Sequence, residues 1–264
     1  MKNKIILLAF SFLFITTVTL AQKKVKAVDI MKDIKAGKAI SFKNATIIGV
    51  LDFTYMDEAI KKMPSKKKSS WFNWKSSTST NEIKKIIDVK ISFINCTFNN
   101  DVLAYIPDEN TGLTYTANFE EETIFKNCIF KQKAMFKYSR FEKDTDFSGS
   151  NFNNDSTFKY AQFDKNISFA NTTFDEIATF KYAKFNNKVS FYNALFKDSA
   201  TFKYTNFSNG VSFNNTTFNE DLNIKYMKVS GEFNITNMKV AYEIDSKYTK
   251  INGKRFIKHS VDKK

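Results

Sequence analysis

FKYAQFDKNISFANTTF, residues Phe158 to Phe174, sets its phenylalanines five, six and five residues apart. An amphipathic helix repeats apolar residues at three or four, and a half-buried strand at two. The same spacing runs from Phe119 to Phe218, with steps of six and five alternating without error through nineteen phenylalanines. Ile224, Val229, Ile235 and Val240 continue the frame with smaller residues. A longer period lies above it. Lys-Tyr pairs recur every 22 residues, at 137–138, 159–160, 181–182, 203–204, 225–226 and 247–248. On a helix, steps of five and six turn by about 140° and 240° and split the phenylalanines into two stripes. On a long strand, a five-residue step sends the side chain to the opposite face. The chain must therefore turn once per phenylalanine, with four short sides to each 22-residue coil.

Within a side, the core residue is followed by two outward residues, a small inward one and another outward one. FKYAQ, FANTT, FKYAK, FKYTN and FNNTT show the pattern, which resembles the pentapeptide-repeat family. The resemblance implies an all-β fold, a right-handed parallel four-sided β-helix. Ala161, Thr172, Ala178, Ala183, Ala194, Ala200, Thr205 and Thr216 are the small inward residues, with Ile167, Val189 and Val211 on the longer sides. Asp144, Asn166, Lys188 and Gly210 are the extra residues of those longer sides, and they suggest tight or left-handed turns there. Backward extension places FKNATI (42–47), FINCTF (93–98) and FKNCIF (125–130) on one side, with insertions at about 54–82 and 105–114. About eight coils then stack over residues 39–251 into a rod about 40 Å long. Residues 22–38 contain VDIMKDIKAGK, a short amphipathic capping helix with Asp29 as its cap and Gly37 as its stop. Residues 252–264 form either a second cap or a basic tail.

Residues 1–21 carry Lys2 and Lys4, an apolar run and the small residues of TLAQ, the parts of a secretory signal in order. Export to the periplasm or beyond the cell is expected. Removing this segment lowers the formal charge from +14 to +12. A basic exported chain favours anionic partners, although lysine and asparagine richness also follows genome composition. The single histidine, His259, argues against histidine metal sites and catalytic triads, and no cofactor is expected. Cys96 and Cys128 take the small inward position one coil apart, close enough for a disulfide. A pair of buried free thiols fits the same positions.

Stacking turns each repeat position into a column. Lys137, Tyr138, Lys159, Tyr160, Lys181, Tyr182, Lys203, Tyr204, Lys225 and Tyr226 form a cationic, aromatic candidate binding face, lysine for charge and tyrosine for stacking. Beside it run Arg140, Gln162, Lys184, Asn206, Lys228 and Lys250. The same columns also read as a tyrosine ladder packed on itself. Insertions on one face of a solenoid often mark its working side, and both interrupt the Lys-Tyr side. The first holds Lys66, Lys67, Lys68, Trp71 and Trp74, a set suited to a membrane surface or an anionic polymer. An asparagine column (44, 95, 127, 171, 193, 215 and 237, broken by Gly149) and the serine and threonine columns read as structural. The acidic corner of Asp155, Asp175, Glu176, Asp198, Glu220 and Asp221 has no calcium-loop spacing, and no metal site is expected. The chain reads as a non-enzymatic binding or scaffold module of the cell envelope. Anionic polysaccharide, anionic lipid or an envelope protein are its candidate partners, and no specific nucleic acid is expected. A spacer without a ligand is the rival reading. The nucleic-acid-mimicking topoisomerase inhibitors of this family would need an acidic, cytoplasmic rod, and this chain is basic.

Overall fold

A computed structural model describes residues 22–56, 81–256 and 262–263. The chain winds as a right-handed quadrilateral β-helix, with four parallel sheets forming its four faces. The first face runs from Ile40–Lys43 to Phe233–Asn234, and the second from Ala45–Ile48 to Lys239–Val240. The third runs from Leu51–Asp52 to Ile244–Asp245, and the fourth from Glu82–Ile87 to Lys250–Ile251. Each face receives one strand from each of eight successive coils. Phe42 pairs with Phe93 and Phe93 with Phe125, so the frame carried backward across both insertions is the register of the sheet.

The alternation of five and six is an alternation of corners. Five-residue steps turn from the first face to the second and from the third to the fourth. The first kind pivots on Asn44, Asn95, Asn127, Asn171, Asn193, Asn215 and Asn237, at φ 52° to 57°, with Gly149 completing the column at φ 68°. The second kind pivots on Tyr138, Tyr160, Tyr182, Tyr204, Tyr226 and Tyr248, at φ 59° to 64°. Asparagine tolerates this left-handed region well and tyrosine poorly. Most six-residue corners gain a residue and turn without a left-handed one, those through Gly49, Gly210 and Gly231 excepted. This corrects the expectation for the longer sides: Asp144, Asn166 and Lys188 are not left-handed, and only Gly210 is, at φ 85°. With one residue fewer, the short corner closes only by reversing the sign of φ.

The core is a phenylalanine lattice. Along the axis, rings repeat as parallel stacks, as in Phe158–Phe180 and Phe169–Phe191, both with centroids 5.0 Å apart. Across the coil they meet edge to face, Phe169–Phe180 at 5.4 Å and 83°. Both geometries satisfy the ring quadrupole. The small inward residues leave room for the rings. Three of the hydroxylic ones are satisfied across coils: Thr172, Thr205 and Thr216 donate to the carbonyls of Phe147, Phe180 and Phe191 at 3.1, 2.7 and 2.7 Å.

Both ends are covered. A helix, α1 (Ala27–Lys35), buries Ala27, Ile30, Met31 and Ile34, the residues of one helical face. Lys26 takes the cap position without a side-chain cap, so Asp29 is not the cap. Asp29 lies in the first turn, where its charge favours the helix dipole. Gly37, at φ 72°, donates to the Ile34 carbonyl at 3.0 Å and ends the helix. The preceding strand, β1 (Lys23–Lys26), extends the second face and was not legible as a strand. At the other end Lys254–Arg255 folds back antiparallel on Lys250–Ile251, and Phe256 seats its ring 5.8 Å from that of Phe233. This stretch is a cap.

Candidate functional site

The Lys-Tyr columns lie where the third face turns into the fourth. Each tyrosine N–H donates to the carbonyl of the lysine one coil further on, at 2.9 to 3.0 Å from Tyr138 to Tyr226. This bond fixes the left-handed corner, and translation by one coil then lays the rings on one another. From Tyr138 to Tyr248 the centroids are 4.9, 4.7, 4.7, 4.6 and 4.8 Å apart. The first four pairs are parallel to within 7°. Carbon atoms approach no closer than about 3.5 Å, so the ring normals lean roughly 40° from the stack and each face is covered by the next ring. The tyrosines present edges to solvent. Between its neighbours in the stack a tyrosine offers a ligand ring no open face.

The lysines lie over this ladder. The Nζ atoms of Lys137, Lys159, Lys181 and Lys203 are 4.9, 5.4, 5.2 and 5.5 Å from the centroid of the following tyrosine. These are cation–π distances. Lys159, Lys181 and Lys203 form no ion pair among the described residues. Partial burial, with Lys137 and Lys181 on either side, holds the Lys159 ammonium below the ordinary lysine range. Burial, with Tyr160 and Tyr204 beside it, raises the Tyr182 phenol.

The run has defined ends. Lys225 reaches the Asp245 carboxylate at 3.5 Å. Lys137 donates to the Tyr105 hydroxyl at 2.9 Å, and the Tyr105 ring lies 5.9 Å from Tyr138. Tyr105 belongs to the second insertion, which forms an antiparallel hairpin of Tyr105–Asp108 with Leu113–Phe119. Beside it a hollow of about 240 Å³ is lined by Asn81, Glu82, Thr114 and Tyr138. Thr114 pairs with Glu82, so each insertion ends inside a strand of the fourth sheet. Lys66, Lys67, Lys68, Trp71 and Trp74 lie outside the described residues, as do residues 1–21.

The neighbouring column is in register, Arg140 beside Gln162 beside Lys184 beside Asn206 beside Lys228 beside Lys250. Its charge is partly compensated. Asp164, unremarked in the sequence, accepts from Arg140, Gln162 and Asn186 at 2.7, 2.8 and 2.9 Å. These donors hold its carboxyl below the usual range against the opposing effect of burial. The first face carries a concavity of about 620 Å³, lined among others by Asp144, Ser168, Lys188, Ser190 and Glu232. Asp144, Asp146 and Glu232 outnumber Lys188 there, so the hollow is net acidic, and no expected site residue lines it.

Cys96 and Cys128 are both buried in the core as free thiols. Cys96 Sγ donates to the Ile94 carbonyl at 3.4 Å and Cys128 Sγ to the Phe93 carbonyl at 3.4 Å. Burial pushes the Cys128 thiol far up. No group of three or more potential ligands capable of holding a metal occurs among the described residues.

Comparison with protein families gives a match to the one described as Pentapeptide repeats (9 copies), over residues 136–184 and again over 180–227. No curated protein and no solved structure matches.

Proposed function

The chain belongs to the pentapeptide-repeat family, and from that premise we propose that it is an exported, non-enzymatic scaffold of the cell envelope that holds anionic material along its Lys-Tyr corner. The observation that carries the reading is the run of three ammonium groups, Lys159, Lys181 and Lys203, without a counter-ion among the described residues. Like charges repeated at the rung spacing of about 4.8 Å repel one another, and an anion laid over them relieves that repulsion. Residues 1–21 supply the export signal. The lysine and tryptophan cluster at 66–74 adds a second contact of the same chemistry.

The test is cosedimentation of residues 22–264 with an acidic polysaccharide, anionic phospholipid vesicles and DNA, each at low and high salt. Salt-sensitive retention, weakened by Trp71→Ala with Trp74→Ala, is the expected result. Absence of binding to all three at low salt would leave a spacer without a ligand. The tightly stacked tyrosine ladder favours that second reading, because self-complementary columns stabilise a rod without any partner. Export is tested separately by the N-terminal sequence of the cell-derived protein, expected to start at Gln22.

A further inference from the structure

We infer that the lysine column holds a single linear carboxylated polysaccharide, laid parallel to the solenoid axis, with one sugar residue to each coil. The inference rests on the anion-binding reading above and gives it a ligand class, a direction and a length.

The direction follows from the lattice. The lysines stand in one column beside a corner of a square prism, so they offer a line of charge where a membrane would need a plane. Successive ammonium groups are related by one coil, a constant translation of about 4.8 Å. A flexible chain with one charge per residue can match that pitch over several rungs.

The chemistry follows from what flanks the column. On one side stand Thr157, Thr179 and Thr201, in register on the third face. On the other stand the edges of the tyrosines, with Tyr160 and Tyr204 exposed at 38% and 37%. Ammonium groups between threonine and phenol columns suit a polymer bearing both carboxylates and hydroxyls. Polyphosphate can accept from these hydroxyls but has none of its own to donate back to them. Nucleobases lack a stacking platform, since the ring faces are closed by their neighbours.

The length follows from the ends. Lys225 is paired with Asp245, and Lys137 is engaged by Tyr105 of the hairpin. Three free rungs lie between two partly satisfied ones, so the site spans three to five sugar residues.

The experiment titrates residues 22–264 with galacturonate oligomers of two to eight residues and reads affinity by calorimetry at several salt concentrations. Affinity should climb with length and level off between three and five residues. Lys159→Gln with Lys181→Gln and Lys203→Gln should lower it at least tenfold and flatten the logarithmic salt slope by about 2, at about 0.7 per lost contact on a single-stranded polyanion. Lys143→Gln with Lys165→Gln and Lys188→Gln removes the same charge from another corner and should retain wild-type affinity. Thermal melts of both triple variants verify the fold. Equal loss in the two variants would overturn the inference in favour of net charge. Affinity independent of length would overturn it too, as would polyphosphate of equal charge binding as tightly. Each of these leaves anion binding standing. A wild-type protein that binds no polyanion at all removes the preceding reading as well.

Discussion

Asn193 shows what a single residue does in this lattice. Its backbone sits at φ 53°, and its side-chain Nδ2 donates to the side-chain Oδ1 of Asn171 at 2.9 Å. The two facts explain its residue type separately, one by conformation and one by the ladder. Asn193→Ala loses both and should destabilise by about 1–2 kcal/mol. Asn193→Gly loses only the ladder bond and should cost less. Urea unfolding of the pair checks this, and a glycine variant weaker than the alanine one would refute the conformational explanation. The asparagine column was legible in the sequence as a ladder, but its left-handed backbone was not. Turn-forming residue types crowd the longer sides as well, so composition pointed to Asp144, Asn166 and Lys188, where φ is negative. For the tyrosines the sequence is more misleading still, because a bulky residue is a poor choice at positive φ. Nothing in KYAQ announces that Tyr160 turns the corner and thereby hides its ring faces.

At the scale of the element, strands of two residues have little stability of their own. Their order comes from the rings between them. Phe180 stacks on Phe158 at 5.0 Å and Phe202 at 4.8 Å, and meets Phe169 and Phe191 edge to face at 5.4 Å each. Phe180→Ala removes partners from two stacks' worth of neighbours and leaves a cavity that the backbone ladder cannot collapse into. A loss of about 3–5 kcal/mol is expected in denaturant melts, with Phe180→Leu losing clearly less. The phenylalanine period made these contacts predictable to the residue, since a translational repeat leaves one way to superpose the coils. Elements outside the repeat were harder. The hairpin in the second insertion occurs once, and its pairing of Thr116 with Tyr105 obeys no period. Strand Lys23–Lys26 is a lysine-rich edge whose pairing with Ala45–Ile48 depends on the fold already being there.

At the scale of the molecule, the eight coils would expose open sheet edges at both ends if nothing covered them. Helix Ala27–Lys35 covers the first coil, and the turn back through Lys254–Arg255 with Phe256 covers the last. Phe256→Ala should leave the central coils folded while loosening the final one. Hydrogen exchange should show protection lost around Phe233 and Ile251, with concentration-dependent association in light scattering. Unchanged exchange there would mean that the hairpin holds without its aromatic anchor. The candidate site was half legible at this scale: the columns could be counted, and their closed faces and bounded ends could not.

The backbone hydrogen bonds of all four faces join coil to coil, which gives the molecule a mechanical character. Pulled by its two ends, the solenoid meets the load one rung at a time, as a zipper does, and never shears a whole sheet at once. Each rung without an insertion frees 22 residues as it yields, about 75 Å of extended chain. Under compression the same rungs bear on one another through stacked rings. The protein is therefore built to act as a strut and to yield as a tether, paying out its length rung by rung.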